Sequence, residues 1–576
     1  VSSLPQAWTY SLEAATEGGR GPNSQVTPIV VNGVMYLPAA DRVVALDPVT
    51  GRELWRHWVA EGAPSRRGVA YWAGGDGQSP RIIFTTGQYL RAVDAATGEP
   101  VEGFGQVGAA DMVVPYNSVP LIYGNVVVVG ANTPAGTIGG IGNGRGFDAR
   151  TGDKVWEFSS VAQPGEPGHD TWDGDSWAGR LGANAWPFYF SMDEERGLLF
   201  LPLASPIPGD YGGDRPGDNL YGNSLVAVDI ETGAYRWHFQ TIHHDLWDAD
   251  PPAPPALFDI PRDGGVIPAL GVTTKSGYLY ILNRETGEPI YGVEERPVAA
   301  SDVPGEVTSP TQPIPLKPPP LARVRFGLDD LVTAADTTTE HAAACRELWD
   351  RVGYYNEGPY TPLRLQEKNT PPSLVFPGMQ GGVSWGGTAY DPELGYIFVN
   401  SKERPISGWM RENPEYEPET DTEVPYVREA GPPFETQIFD GAGNRLGALP
   451  CFKPPWARLF AVNASTGNIV WEVPLGLEEL LPEGKQAVGS RSEGGPIVTA
   501  GGLVFVGATA DRRFRAFDSS TGEELWSQGF NYNIQAVPIT YQGRDGRQYV
   551  AVNVSAPATA EPRGNERLVV FSLRDP

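Results

Sequence analysis

One short motif recurs along this chain and constrains its fold more than any other feature: Asp or Asn, two further residues, then Thr-Gly. In the first copy it joins the apolar run 43–46 to a second run that ends at Trp55. Seven copies lie in similar settings, at 43–55, 90–98, 146–156, 225–237, 279–287, 459–471 and 514–526, and a degenerate eighth unit covers 385–400. Seven copies are too many for coincidence.

Each copy has the chemistry of two strands joined by a tight turn. The Asp or Asn side chain caps the turn, and Gly supplies its positive φ. A Trp at the end of the second strand can fill the space between neighbouring sheets. Because one unit cannot bury its own faces, the units must stack, which predicts an all-β chain folded as an eight-bladed β-propeller.

Long insertions are expected between the strands. Eight units in 576 residues give a mean spacing of roughly 70 residues, above the ~45–55 residues typical of a four-stranded blade. We expect residues 1–576 to form one propeller domain with insertions at about 163–184, 293–378 and 403–450. The second insertion is expected to hold one or two helices, one that opens at 328–331 and another that spans 339–350.

Both chain ends are expected to share the closing blade, because this removes an open sheet edge. The strands predicted near the ends are 496–506, 549–554, 568–573 and, on the N-terminal side, 30–37.

Charge and cysteine content exclude several function classes. The net charge of −27 argues against nucleic acid and anionic membrane as partners. The two cysteines form no CxxC or CxxCH motif, which excludes a thiolate zinc site and an attached c-type haem. No apolar run is long enough to predict a transmembrane segment. The start at Val1, without a basic and apolar leader, is typical of a processed or trimmed chain.

The segment 241–250, called the acidic turn below, is the most polar candidate site. Six of its ten residues are His, Asp or Trp, and the Pro-rich stretch 251–255 follows it. Composition alone leaves a solvated loop and a functional site equally open.

Further polar candidates lie near the start of successive units, where side chains of a propeller can face the central channel. One Arg, one Lys, one Asp, hydroxyl groups and a Trp face would suit a flat anionic ligand. Taken singly, each residue has an ordinary structural explanation, such as a surface ion pair or packing between blades. These candidates are Arg67, Thr85, Asn132, Trp186, Asp248 and Lys275.

The chain resembles the quinoprotein dehydrogenases, eight-bladed propellers that carry pyrroloquinoline quinone (PQQ). Within that family it is most similar to the propeller domain of the membrane-bound glucose dehydrogenases. The segments that carry the resemblance are 243–250, 274–277, 309–313, 375–378, 449–451 and 494–497, and 67–72 is shared more widely among quinoproteins.

The resemblance implies a role for each candidate residue. Asp248 matches the general base, and Lys275 matches the cation that hydrogen-bonds the quinone oxygens. The implied cofactor-binding residues are Arg67, Thr85, Trp186 (beneath the PQQ plane), Lys275, Ser384 and Trp385, and the implied metal ligands are Asn132, Asp248 and Ser205. Lys275 and a divalent cation, expected to be Ca²⁺, should lower the pKa of Asp248.

The chain also departs from the family pattern. No adjacent-cysteine disulfide can form, and approximately Thr137 and Ser205 replace the usual Glu and Asn on the metal. Asp250 is similar to a residue of lanthanide-using alcohol dehydrogenases, but the missing Glu argues against a lanthanide. Trp72 replaces a substrate-side His of glucose dehydrogenases, which puts glucose itself in doubt.

The resemblance also bears on electron transfer and on the cysteines. The membrane anchor of the glucose dehydrogenases and a haem domain are both missing, so electrons should pass to an external quinone or cytochrome c. Cys345 and Cys451 are expected to form one disulfide that ties the long insertion to the seventh blade. It would contribute about 3–5 kcal/mol and indicate a periplasmic or secreted protein; two buried free thiols are the alternative.

The sequence therefore predicts PQQ-dependent oxidation of an alcohol or sugar hydroxyl. Two alternatives stay open: a non-catalytic propeller scaffold for protein–protein assembly in the cell envelope, and a decayed quinoprotein that binds PQQ weakly. Within the acidic turn, Trp247 is expected to pack, and His243 and His244 are expected to orient the turn rather than bind metal. The role of Asp250 stays open.

Overall fold

The structure is a computed structural model. It describes residues 4–14, 25–106, 108–133, 142–179, 183–262, 264–418, 424–507, 509–534, 536–555 and 566–572. Within these ranges the chain is almost entirely β, and its sheets form the eight blades of a propeller. The predicted fold class is confirmed.

The first half of the chain contains strand β1 and then four blades. Strand β1 is Gln6–Ser11. Blade 1 consists of β2 (Ile29–Val31), β3 (Val34–Pro38), β4 (Arg42–Leu46) and β5 (Glu53–Trp58). Blade 2 consists of β6 (Ala70–Trp72), β7 (Arg81–Thr86), β8 (Tyr89–Asp94) and β9 (Ala109–Asp111). Blade 3 consists of β10 (Leu121–Tyr123), β11 (Val126–Val129), β12 (Gly144–Asp148) and β13 (Lys154–Phe158). Blade 4 consists of β14 (Ala183–Ala185), β15 (Ser191–Asp193), β16 (Leu198–Pro206), β17 (Ser224–Asp229) and β18 (Tyr235–Gln240).

The second half contains the other blades and the large insertions. Blade 5 consists of β19 (Ala256–Arg262), β20 (Gly265–Thr273) and β21 (Leu279–Asn283). An insertion follows, with β22 (Val293–Pro297), β23 (Thr311–Pro315), α1 (Thr339–Val352), β24 (Arg364–Leu365) and β25 (Ser373–Val375). Blade 6 starts with β26 (Thr388–Asp391) and β27 (Tyr396–Lys402). The next insertion holds β28 (Ile406–Glu412), β29 (Tyr426–Ala430), β30 (Glu435–Phe439) and β31 (Arg445–Pro450). Blade 6 ends with β32 (Ala457–Asn463) and β33 (Asn468–Pro474). Blade 7 consists of β34 (Ile497–Thr499), β35 (Leu503–Val506), β36 (Arg513–Asp518) and β37 (Glu524–Gly529). Blade 8 consists of β38 (Ile539–Gln542), β39 (Gln548–Val554), β40 (Arg567–Ser572) and β1.

The repeated motif forms the expected turns and also joins neighbouring blades. In blade 1, Asp47 Oδ1 accepts the Val49 amide at 2.9 Å, and Gly51 has φ +71°. The indole of Trp55 packs on Gly98 of blade 2, where an added Cβ would lie 2.6 Å from the ring. Its Nε1 donates to a carbonyl of blade 2 at 3.0 Å. The same packing and indole–carbonyl bond recur at Trp8, Trp156, Trp237 and Trp471.

The first strands of the blades converge on the middle of the ring. Strand β6 approaches β10, β15 approaches β19, and β26 lies between β19 and β34. The last strands are half exposed, as in β5 and β33, where burial alternates along the strand. The first strand of each blade is therefore the innermost, and the Trp-bearing last strand is the outermost.

Two expectations about the blades are wrong. The unit at 385–400 is not a blade of its own, because β27 pairs with β32 across the intervening insertion, with Tyr396 opposite Asn463. The copy at 459–471 is thus the second half of blade 6. The ring is closed by β1, which pairs with β40, whereas residues 30–37 belong to β2 and β3 of blade 1.

The two large insertions form one joint structure over blades 5 and 6. Strand β28 of the second insertion pairs with β24 and β25 of the first. The predicted disulfide between Cys345 and Cys451 is confirmed, with a Cα–Cα distance of 5.3 Å. Cys451 lies between β31 and β32, so the disulfide ties the first insertion to the start of the second half of blade 6. This is the unit that the repeat pattern predicts as the seventh blade.

One of the two predicted helices forms. The first is only a 3₁₀ turn, Leu328–Asp330. The second is α1, which begins after Thr338, whose side chain accepts the His341 amide at 3.2 Å, and ends at Gly353 with φ +67°. No helix in the described residues is long and apolar enough to cross a membrane.

Candidate active site

The predicted site residues lie at one edge of the blades. Within an antiparallel sheet, the start of the first strand and the end of the second lie at the same edge. Arg67, Asp248, Ser384 and Trp385 precede first strands, Trp186 follows β14, and Thr85, Asn132, Ser205 and Lys275 lie at or just after the ends of second or central strands. We call this edge of the ring the channel mouth.

Lys275 is the centre of a buried charge cluster at the channel mouth. Its Nζ lies 3.0 Å from Asp248 Oδ1 and 2.6 Å from Asp250 Oδ1. The second oxygen of Asp250 accepts the Trp186 indole N–H at 2.8 Å. The Asp248 side chain is 35% exposed and that of Asp250 is 0% exposed. Of the two carboxylates, only Asp248 can therefore meet a substrate.

Asp245 makes most of the hydrogen bonds that hold the acidic turn. The Asp245 carboxylate accepts the Trp247 amide at 2.9 Å and the Ala249 amide at 3.1 Å, and it also accepts Asn223 Nδ2 at 2.9 Å. These bonds fix Asp248 at φ +50°, a left-handed conformation that costs a non-glycine residue roughly 1–3 kcal/mol. The turn therefore holds Asp248 in an unfavourable backbone conformation, which sets the direction of its side chain.

The other residues of the turn behave as expected. The Trp247 indole is buried and donates to the Thr361 carbonyl at 2.9 Å. His243 Nδ1 bonds Gln240 Oε1 at 2.7 Å, and His244 Nδ1 bonds the Gly217 carbonyl at 2.8 Å. Both imidazoles therefore contribute to the conformation of the turn.

Burial raises the pKa of both carboxylates. It raises the pKa of Asp248 to about 7, although Lys275 acts in the opposite direction. The pKa of Asp250 is also raised, for the same reason. Burial would lower the pKa of Lys275, but the two carboxylates outweigh it and the pKa is raised. Lys275 lowers the pKa of Asp248, as expected, but desolvation is the larger effect and the net shift is upward. The expected contribution of a divalent cation stays a prediction.

Arg67 is buried at the channel mouth without a carboxylate partner among the described residues. Its side chain donates to Gln25 Oε1 at 3.0 Å and to the Trp186 carbonyl at 3.3 Å. Burial lowers its pKa to about 9, with a further contribution from Arg66. A buried cation that lacks an acid favours an anionic ligand.

Aromatic rings surround this guanidinium. It lies 5.9 Å from the ring of Trp186, 5.1 Å from that of Phe188 and 5.6 Å from that of Trp385. Phe188 and Trp385 stack at 5.1 Å with an interplanar angle of 11°. Lys275 Nζ lies 5.4 Å from the Trp186 ring. The structure therefore brings together five of the predicted residues: Arg67, Trp186, Asp248, Lys275 and Trp385.

Comparison with known proteins identifies the family. The family model for the β-propeller domain of PQQ-dependent glucose, ethanol and alcohol dehydrogenases matches residues 1–550. The chain belongs to this family. It is thus a quinoprotein oxidoreductase, and the catalytic interpretation is supported over the scaffold alternative.

Individual relatives agree with the assignment. A quinate/shikimate dehydrogenase (quinone) of Acinetobacter baylyi is 32% identical over 100% of this chain and 76% of its own length. Quinoprotein glucose dehydrogenase A of Acinetobacter calcoaceticus is 30% identical over 100% of this chain and 76% of its own length. A solved quinohemoprotein alcohol dehydrogenase from Comamonas testosteroni has a TM-score of 0.69 at 23% identity, covering 100% of this chain and 77% of that one. This last likeness shows the shared propeller fold.

The site residues of this quinoprotein fit PQQ, which is flat and multiply anionic. Arg67 has no acid partner in the described ranges. The neighbouring Arg66 has a buried Nε that, among the described residues, makes no hydrogen bond. The Thr85 hydroxyl is fully buried and likewise has no hydrogen-bond partner in the described part of the chain. Two arginines, an unused hydroxyl and the aromatic rings around Arg67 suit such a cofactor. The individual cofactor roles, including that of Ser384, stay predictions.

The predicted metal ligands are only partly brought together. Ser205 donates to the Asp245 carboxylate and accepts Asn223 Nδ2 at 3.2 Å, so its hydroxyl already orients the acidic turn. The side-chain oxygen Oδ1 of Asn132 accepts the Asn117 backbone N–H at 2.9 Å. Thr137 lies outside the described residues. Two carboxylates facing one ammonium leave a net negative charge, which suits a cation next to Asp248.

Trp72 does not face the channel. Its ring is 2% exposed, its Nε1 donates to the Gly124 carbonyl at 3.1 Å, and the Arg81 guanidinium lies 5.0 Å from it. The indole therefore packs between blades 2 and 3.

Sequence reasoning missed several residues at the channel mouth. Phe188 stacks on Trp385, Gln25 binds Arg67, and Asp210 lies 3.8 Å from Arg428 of β29. Only proximity in three dimensions marks Gln25 and Asp210. Phe188, two residues after Trp186, could have been suspected as part of an aromatic cluster.

Proposed function

We propose that this quinoprotein oxidises a hydroxyl group of a small alcohol or sugar, with Asp248 as the general base. The observation that carries the proposal is the Asp248–Lys275 pair at 3.0 Å, placed at the channel mouth of a PQQ dehydrogenase propeller. Asp248 is the partly exposed member of the pair, so a substrate hydroxyl can reach it.

Three residues of the chain would bind the cofactor. Arg67 would pair with a cofactor carboxylate, Thr85 would use its free hydroxyl, and Trp186 would offer an aromatic face. The Trp186 indole is itself fixed through its bond to Asp250 at 2.8 Å. When bound, PQQ supplies the quinone that accepts the electrons of the substrate.

Asp248 and Lys275 would handle the charges of the reaction. In its ionised form the Asp248 carboxylate accepts the proton of the substrate hydroxyl. A pKa of about 7 lies in the range in which a general base is most effective near neutral pH. The Lys275 ammonium stabilises negative charge that develops beside it, and Asp250 holds that ammonium in place.

A divalent cation completes the proposed site. We propose Ca²⁺, with a lanthanide as the less expected alternative, and with Asp248, Asn132 and Ser205 as candidate ligands. The cation would act as a Lewis acid at the cofactor. The net negative charge of the Asp248–Lys275–Asp250 cluster supports the proposal.

We further propose a quinone as electron acceptor and an oxidising compartment, either the periplasm or the exterior. The acceptor proposal follows from the quinate/shikimate relative, whose name includes a quinone; cytochrome c is the alternative acceptor. The compartment proposal follows from the disulfide, because such bonds persist in oxidising environments.

Reconstitution tests the function. The protein is loaded with PQQ and either Ca²⁺ or a lanthanide, and alcohols, sugars and polyols are then screened with a dye as electron acceptor. We expect tight PQQ binding and turnover with Ca²⁺. Absence of tight PQQ binding with either metal would refute the proposal and favour a decayed quinoprotein.

A further inference from the structure

A second group of cationic side chains lies at the channel mouth, and it has no role in the proposed oxidation. Lys402 is the last residue of β27, the second strand of blade 6. Lys275 follows β20, the second strand of blade 5, so the two lysines occupy similar places in consecutive blades. Arg404 lies two residues after Lys402, and Arg491 lies six residues before β34, the first strand of blade 7.

One glycine connects this group to the catalytic lysine. Gly382 exchanges backbone hydrogen bonds with Lys402 at 3.1 and 3.0 Å. On its other side Gly382 lies against the Lys275 carbonyl, to which an added Cβ would approach within 2.2 Å. The second cation group is therefore separated from Lys275 by a single backbone segment.

The group has more positive than negative charge. Lys402 is 2% exposed, and its Nζ lies 3.3 Å from Glu493. Arg404 Nη1 lies 4.0 Å from the same carboxylate and also feels the charge of Glu435. Among the described residues, the exposed Arg491 guanidinium makes no hydrogen bond or ion pair. Three cations thus face two carboxylates.

This excess is unusual for the chain, which has a net charge of −27. Repulsion by Arg404 and Arg491 adds to burial and lowers the pKa of Lys402 to about 8. Such a cluster costs stability in a free protein, so an anion that binds between the cations would offset the cost. Two arginines can bind a carboxylate through paired N–H donors.

Building on the proposed function, we propose that Lys402, Arg404 and Arg491 bind a carboxylate of the substrate, so that the preferred substrate is a hydroxy acid. The hydroxyl that is oxidised would lie at Asp248, and the carboxylate would lie towards blades 6 and 7. The quinate/shikimate relative is consistent with this proposal, because quinate carries both groups. Arg67 and Lys275 are left for the cofactor.

The test compares an anionic substrate with a neutral one. The PQQ- and Ca²⁺-loaded protein is assayed with quinate and with inositol, a neutral polyol, in the wild type and in the Arg404→Gln and Arg491→Gln variants. We expect each variant to raise KM for quinate at least about tenfold while PQQ affinity and any inositol turnover stay unchanged. Arg236→Gln serves as the control, since Arg236 lies on an outer strand and is 52% exposed.

Three results would overturn the inference. The wild type could use inositol as well as quinate, the variants could lose both substrates equally, or they could lose PQQ affinity instead, which would assign the cations to a cofactor carboxylate. Calorimetric titration with quinate provides a readout that is independent of turnover. If quinate binds and the variants abolish binding while no substrate is oxidised, the proposed function fails but the carboxylate site stands.

Discussion

The two carboxylates on Lys275 allow a matched test of which one is the base. Asp248→Asn and Asp250→Asn each remove one negative charge and one charged partner of the same ammonium, at 3.0 and 2.6 Å respectively. The electrostatic change is thus similar in the two variants. They differ in geometry, because Asp248 is partly exposed, whereas both oxygens of Asp250 are occupied by Lys275 and Trp186.

The expected effects therefore separate. Asp248→Asn should lower kcat about 10²–10⁴-fold, the usual contribution of a general base, with PQQ affinity nearly unchanged. Asp250→Asn should keep most of the turnover but lose roughly 1.5–3 kcal/mol of stability, because it weakens buried charge-assisted bonds. PQQ titration, dye-linked kinetics and thermal unfolding measure the three quantities. Full activity of Asp248→Asn, or an equal loss of kcat in both variants with PQQ bound, would refute the assignment.

Three further predictions concern stability. The Cys345–Cys451 bond closes a loop across a separation of 106 residues, so its reduction should destabilise the insertions by about 4–5 kcal/mol on a loop-entropy estimate. The rate of hydrogen exchange in α1 should then rise by about three orders of magnitude. An unchanged exchange rate would contradict this prediction. His244 has a pKa lowered to about 4 by burial and by Arg215, so the unfolded chain binds the extra proton first. Stability should fall as the pH drops from about 6.5 to 4, by up to about 3 kcal/mol, and His244→Gln should remove this part of the slope in urea titrations. Trp237→Ala should cost about 3–5 kcal/mol, because the indole packs on Gly287 and donates to a carbonyl of blade 5; calorimetry that shows no shift in Tm would disprove the bridging role.

The repeat could be predicted from the sequence because its chemistry is local. Asp47 caps the turn that contains Gly51, and both residues lie within five positions of each other. A strand pairing across a long insertion is not local in this sense. The sequence pattern therefore predicts a separate blade for residues 385–400, whereas in the structure β27 pairs with β32, which begins after residue 456.

Part of the candidate site could also be predicted from the sequence, because some of its residues lie in short recognisable segments. Asp248 and Lys275 belong to short segments whose pattern resembles a known family, so the sequence could identify them. The partners of Lys275 and Arg67 could not be identified in this way. Asp250 was left open, and Gln25 lies 42 residues from Arg67 in the chain.

The sequence by itself determined the repeating turn, because its capping Asp and its Gly lie within a few positions of each other, and it determined which polar residues are available for chemistry. The Trp bridges join residues of neighbouring blades, and they could be predicted because the motif repeats. The tertiary structure decided which of these residues meet. It raised the pKa of Asp248, because burial outweighs the attraction of Lys275. It also placed Lys402 one backbone segment away from Lys275, because the ring brings the ends of consecutive blades together at one mouth.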